Sequence, residues 1–334
     1  VYICQDEFLA RKVAIKVMSS ISDVDLLRTE LASMRDVRSP HVAEIYDLVF
    51  AKRSAMAGLV QEYVSGFCLD EYATVSHERE AYMRTLWQLA KGLADIHREG
   101  KIHRDIKPSN IRFDSEGVLK ILDFGITSEV GPHAYTVNAK GTRYFLAPEF
   151  YDPPPIKLTF AGDVYAYGVT AWYLASKVEL PNALKEIPPQ RSEPVPSLAM
   201  AWPDWPHDLL STFDAALKVR PQHRPTMSEI KDTLEKHLLY GKHRATFNYG
   251  AKTQELSTPG QTVTLGVSSD SIVIGYDGLI FSVKTVSGNV YINNMTVTPG
   301  TILPDSCVFT LGARSLQYLR TFVPMDTAHP EVIL

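Results

Sequence analysis

A chain of 334 residues is long enough for about two domains and a sizeable core. With 45% hydrophobic and 22% charged residues it has the composition of a soluble globular protein, and a net charge of −4 excludes a global pull toward nucleic acid or an anionic membrane. Cys4, Cys68 and Cys307 lie too far apart for a metal-binding spacing or a disulfide framework, which points to a reduced, cytoplasmic setting, and no apolar run reaches the roughly 20 residues of a membrane helix.

The chain opens at Val1 on strand-like sequence, without a signal peptide, as a piece of a longer protein would. Residues 11–18, RKVAIKVM, are β-branched and predict a strand. Leu26, Leu27, Glu30, Leu31 and Met34 recur at helical spacing and predict a helix over 23–36. Apolar runs at 42–50 and 57–64 predict two more strands. Residues 80–99 predict a long helix with Leu86, Ala90, Leu93 and Ile96 on one face, stopped by Gly100. Helices are expected over 163–176 and 207–219, with the proline-rich stretch 181–206 between them as a surface loop. Thr226 and Glu229 form a T-x-x-E capping box for a helix reaching Leu238.

After about residue 245 Thr, Val, Ser and Gly dominate, and short alternating runs recur: TVTLGV, SIVIGY, IFSVKTV, NVYINNMTV, VFTLG, LQYLRTF. Such runs, separated by turn residues, predict a small antiparallel β-sandwich or barrel. The expected organisation is one domain over 1–240, a linker at 241–252 and an all-β domain over 253–334.

Four motifs fall in order within the first part: VAIK (13–16), HRDIKPSN (103–110), DFG (123–125) and APE (147–149). Any one of these is weak evidence; together, at workable spacing, they are specific. On these residues the chain resembles the eukaryotic-like Ser/Thr protein kinases over roughly residues 1–240. The resemblance implies an α+β two-lobed protein kinase fold, with an N-lobe of about 1–64 and a C-lobe of about 65–240, followed by a small all-β sandwich. It implies transfer of the ATP γ-phosphate to Ser or Thr hydroxyls of protein substrates, with ATP and Mg²⁺ as cofactors.

Phosphoryl transfer asks a protein mainly for positioning and charge neutralisation, and the residue types fit that need. Asp105 can accept the proton of a substrate hydroxyl and Lys107 can touch the transferring phosphate. Asn110 and Asp123 offer hard oxygen ligands for Mg²⁺. The resemblance assigns Lys16 to the α- and β-phosphates and Glu30 to an ion pair that orients Lys16. It places Val1, Ala14 and Arg112 around the adenine, with Gln61 as gatekeeper and Glu62 and Val64 offering backbone groups. Asp163 should brace the catalytic loop, Glu149 should pair with Arg224, and His103, Phe124 and Met34 should stack in an apolar spine. Residues 126–146 would be the activation loop. Arg104 would await a loop phosphate on Thr136, or else on Thr127 or Ser128, and Thr142 would contact the catalytic loop and help select the hydroxyl.

Two features depart from the family pattern. The glycine-rich G-x-G-x-x-G-x-V loop is missing except for its terminal valine, which corresponds to Val1, as in a chain that begins just past that loop. Arg112 stands where an aliphatic residue usually floors the adenine; its stem could pack there with the head reaching solvent. A pseudokinase scaffold acting through the β-sandwich is therefore the alternative, and a small-molecule phosphotransferase a third reading. The β-rich part bears a fainter resemblance to a forkhead-associated sandwich, in TLG (264–266), VYINN (290–294) and VFTLG (308–312). Val267 occupies the place of the phosphothreonine-reading arginine, and GLIF (278–281) lacks the Ser/His pair. An interaction or regulatory module with a protein partner is expected there instead, with Asn293 and Asn294 as either ligand contacts or turn residues. No nucleic-acid partner and no membrane segment are expected.

Overall fold

The computed structural model describes residues 1–18, 31, 37–50, 57–72, 78–123, 128–129, 135–136, 142–175, 179–250 and 252–328. Contacts divide the chain into two units, residues 1–234 and 235–333.

The first unit begins with a four-stranded antiparallel sheet. Its strands are Tyr2–Asp6, Arg11–Met18, Ile45–Phe50 and Ala57–Glu62, with the fourth inserted between the second and third. The register sets Lys16 opposite Leu59 and Ala14 opposite Gln61. Val13, Ala14 and Leu59 are buried there, so the β-branched run noted in the sequence finds a core.

The rest of the unit is mostly helical. Helix Arg79–Arg98 buries Leu86, Ala90, Leu93 and Ile96, as its period predicts. It ends at Gly100, whose φ of 71° only glycine takes up at low cost. Helix Ala161–Ala175 is buried almost all round, with Tyr165 and Tyr167 fully enclosed, and forms the centre of this part. Helices His207–Ala216 and Met227–Leu238 follow. The capping box at the start of the last is formed: Thr226 Oγ1 accepts from the Glu229 amide at 3.2 Å, and Glu229 Oε2 accepts from the Thr226 amide at 2.7 Å.

One reading needs correction in this unit. The proline-rich stretch 181–206 is not simply a surface loop, because Ala183, Leu184, Leu198 and Trp205 are buried. Trp205 lies against Tyr82, Trp202 and Phe213 at ring distances of 5.5, 5.6 and 5.8 Å. Proline content marked irregular backbone correctly but said nothing of the apolar side chains between the prolines.

The second unit is all-β. One sheet has six strands, in the order Lys252–Leu256, Arg244–Tyr249, Thr321–Ala328, Ser306–Leu311, Val290–Ile292, Met295–Thr296. The other has Thr262–Val267, Asp270–Tyr276 and Phe281–Ser287. Their inward side chains, among them Phe247, Ile272, Ile274, Phe309 and Val323, share one core.

Within the expected linker 241–252, residues 244–249 are corrected to strand. Arg244–Tyr249 pairs with strands on both sides, and Ala245 and Phe247 are fully buried. Its short alternation, with alanine as one inward residue, was too weak a signal. Within LQYLRTF only the end is strand, since Arg314–Leu319 forms 3-10 turns. Asn293 and Asn294 both have positive φ, 49° and 65°, and form the turn between Val290–Ile292 and Met295–Thr296. That is the turn reading of the asparagine pair.

Candidate active site

The loop after helix Arg79–Arg98 is held from below by one buried carboxylate. Asp163, in the first turn of Ala161–Ala175, accepts from the His103 amide at 2.7 Å, the Arg104 amide at 2.8 Å and His97 Nε2 at 3.0 Å. Burial alone would raise its carboxyl, but the His97 and Arg104 contacts hold it below the usual range. These bonds fix Arg104 at φ 72°, a left-handed conformation that a non-glycine residue adopts only when its surroundings demand it.

Above this brace four side chains meet. Asp105 Oδ1 accepts from Thr142 Oγ1 at 2.9 Å. Asp105 Oδ2 accepts from Asn110 Nδ2 at 2.9 Å and pairs with Lys107 Nζ at 2.9 Å. Lys107 Nζ also donates to Thr142 Oγ1 at 2.7 Å. Burial pushes the Asp105 carboxyl up, but the bonds from Lys107, Thr142 and Asn110 outweigh it and leave it below the usual carboxylate range.

The amide nitrogen of Asn110 is committed to Asp105, donating to its backbone oxygen as well at 2.9 Å. That leaves Asn110 Oδ1 as its outward acceptor. Asp123, with a φ of 61°, presents its carboxylate to the same cleft, and Lys16 Nζ contacts its Oδ1 at 2.5 Å. Asn110 Oδ1 and the Asp123 carboxylate, both on one cleft, are hard-oxygen groups of the type Mg²⁺ takes, which binds through one or two carboxylates together with phosphate and water. Among the described residues no group of three or more His, Cys, Asp or Glu gathers as a metal cluster.

These groups line a cleft of about 350 Å³. Ala14, Gln61, Glu62 and Val64 border it, as do Val1 and Arg112, so the residues expected above at the nucleotide, other than Glu30, line one cleft. Ile3 and Leu122 also line it and were not anticipated. Ile3 had a legible signal, lying in strand Tyr2–Asp6 two residues after Val1, the spacing that puts side chains on one face of extended chain. The Glu62 carboxylate pairs with Lys120 Nζ at 3.0 Å, while its amide donates to Glu44 O at 2.8 Å.

Arg112 lines the cleft with its stem, and its Nη2 donates to the Gly66 carbonyl. The expected solvent-reaching head is therefore anchored on backbone instead. Glycine at 66 lets this backbone pass close to that of Phe113, since a Cβ there would overlap the Phe113 carbonyl oxygen.

Glu149 and Arg224 form a two-pronged ion pair, both N–O distances 2.7 Å, with the arginine side chain 0% exposed. Arg224 also donates to the carbonyls of Lys218, Ala161 and Val219. His103 is buried, its Nε2 at 3.0 Å from Leu122 O. Glu30, Met34, Phe124 and Thr127 lie outside the described residues. For Ser128 and Thr136 the backbone is described: Ser128 pairs with Ile102, and Thr136 with Ile156.

Comparison with known proteins agrees with this geometry. The protein kinase domain family matches residues 1–234. A probable serine/threonine-protein kinase, pknA2, of Bifidobacterium longum is 32% identical over 220 residues, covering 60% of this chain and 28% of that protein. The serine/threonine-protein kinase PrkC of Bacillus subtilis is 32% identical over 184 residues, 52% of this chain and 28% of that protein. CBL-interacting protein kinase 25 of Oryza sativa subsp. japonica is 33% identical over 190 residues, 52% of this chain and 36% of that protein. The chain thus matches about a third or less of the length of these relatives.

Proposed function

This chain belongs to the protein kinase family, and from that premise we propose that it is an ATP- and Mg²⁺-dependent serine/threonine protein kinase. The observation that carries the reading is the convergence of Lys107, Asn110 and Thr142 on Asp105, beside a cleft that also holds Lys16 and Asp123.

Asp105 takes the proton of the incoming Ser or Thr hydroxyl. Three donors orient its carboxylate, so little reorganisation is needed when the hydroxyl arrives. Lys107 brings a positive charge to the same point and steadies the phosphate in flight. Thr142 joins the substrate-facing segment to the base and aligns an alcohol next to it. Lys16, beside Asp123, holds nucleotide phosphates. Asn110 and Asp123 would hold Mg²⁺, whose charge would neutralise the phosphates.

The test uses purified protein with ATP, Mg²⁺ and a protein substrate. Asp105→Asn and Asp123→Ala should each lower phosphate transfer by about two to four orders of magnitude, with unchanged thermal unfolding. Undiminished transfer by either folded variant would refute the assignment.

Regulation by autophosphorylation between Asp123 and Glu149 follows from Arg104 next to Asp105, with Thr136 the first site and Thr127 and Ser128 behind it. In support, strand Tyr135–Thr136 pairs with Ile156–Lys157, keeping this stretch beside the segment that follows APE. Mass mapping after incubation with ATP and Mg²⁺ should find phosphate there. The β-sandwich serves interaction or regulation.

A further inference from the structure

The second unit carries an apolar and basic patch that phosphate transfer does not use. Residues 312–320 connect strand Ser306–Leu311 to strand Thr321–Ala328 and bend at Gln317, with φ 49° and ψ −117°. On this connection Leu316, Tyr318 and Leu319 are 46, 82 and 70% exposed, and Phe322 just beyond is 46% exposed.

Two arginines tie the connection to the neighbouring sheet. Arg314 lies 5.0 Å from the Tyr291 ring centre and donates to Asn294 O at 3.2 Å, next to Met295, which is 74% exposed. Arg320 lies 5.6 Å from the Phe322 ring centre. Register places Tyr291 and Phe322 on either side of Thr310, in one cross-strand row.

The local charge differs from that of the whole chain: the chain is net −4, whereas residues 288–325 hold one acid, Asp305, against Arg314 and Arg320. Among the described residues neither arginine has a carboxylate partner.

We propose that this face docks on an anionic lipid bilayer. Leu316, Tyr318 and Leu319 enter the boundary between headgroups and acyl chains, and Arg314 and Arg320 meet anionic headgroups. Adjacent side chains as exposed as Tyr318 and Leu319 form a ridge, not a groove. A protein partner would need a pocket matched to that ridge, whereas a bilayer interface accepts any convex apolar tip. A tyrosine settles well at headgroup depth, and arginine stems lie along apolar surface while their charge stays in the polar layer. This surface is peripheral: among the described residues no helix is long and apolar enough to cross a membrane. The inference does not depend on kinase activity.

Sedimentation of the full chain with vesicles tests it, comparing phosphatidylcholine alone with phosphatidylcholine mixed with phosphatidylserine. The protein should partition onto the mixed vesicles, less so at high salt. Replacing both arginines by alanine should weaken binding about thirtyfold at low salt, and Tyr318→Ser with Leu319→Ser should weaken it about tenfold or more. A blue shift of Tyr318→Trp fluorescence on adding mixed vesicles, over the wild-type background, reports insertion without relying on a loss-of-binding variant. Absence of partition onto mixed vesicles, wild-type binding by the serine double variant, or no blue shift would each overturn the proposal. Binding to poly-glutamate without binding to vesicles would overturn it in favour of an acidic protein partner.

Discussion

Asp105 shows how a cluster of donors sets both the charge and the aim of one carboxylate. Its pKa is held below the usual range by Lys107, Thr142 and Asn110 against the opposing effect of burial, so it is ionised throughout the neutral range. In the proposed role of base it would act through position more than through proton affinity. His41 illustrates the reverse case. It is fully buried, its Nδ1 lies 3.1 Å from Leu119 O, and burial lowers its pKa to about 4. The unfolded chain binds a proton near pH 6.5 that the folded chain refuses until about pH 4. The stability tied to the neutral ring is therefore complete above pH 6.5 and lost progressively as pH falls toward 4. Its full size is about 3 kcal/mol at about 1.4 kcal/mol per pKa unit. His41→Asn keeps a donor for Leu119 O and removes the titration. Urea unfolding at pH 7 and pH 5 should show a smaller drop for this variant than for the wild type; equal drops would contradict the assignment.

Elements in the first unit are fastened by a few polar contacts at their ends. The Thr226–Glu229 box satisfies amides at the start of Met227–Leu238 that the helix itself leaves unpaired. Thr226→Ala should cost about 1 kcal/mol in urea unfolding, and Thr226→Ser much less. Arg224 has a larger reach, joining Glu149 to carbonyls at 161, 218 and 219. Arg224→Ala strands the Glu149 carboxylate beside several unpaired carbonyls, and should cost about 3–5 kcal/mol. Arg224→Lys retains the charge but not the paired contacts, and should fall between. A thermal midpoint for the alanine variant equal to wild type would remove this clamp from the list of stabilising contacts.

The two units make different demands as whole bodies. The second has its own core between two sheets, and about 95 residues suffice for an independent sandwich. A fragment of residues 240–334 should unfold cooperatively on its own. A fragment starting at residue 253 lacks Arg244–Tyr249, the strand paired on both edges with the rest of the sheet, together with buried Ala245 and Phe247. It should show poor amide dispersion and no cooperative transition. Equal cooperativity for both fragments would return residues 244–249 to linker status.

Local chemistry was readable from residue order alone. VAIK, HRDIKPSN and DFG contain Lys16, Asn110 and Asp123, which the fold brings to one cleft, and APE contains Glu149, which it brings to Arg224. The spacing of Leu86, Ala90, Leu93 and Ile96 named a buried helix face because a helix repeats every 3.6 residues. What needed the tertiary structure was every contact between distant segments. The Gly66 carbonyl receiving Arg112, the pairing of Arg244–Tyr249 with Thr321–Ala328, and the burial of Trp205 in a proline-rich stretch all depend on chain portions that sequence periodicity cannot relate. Periodicity reports which face of an element is apolar; what covers that face is decided only when the remote segment folds back onto it.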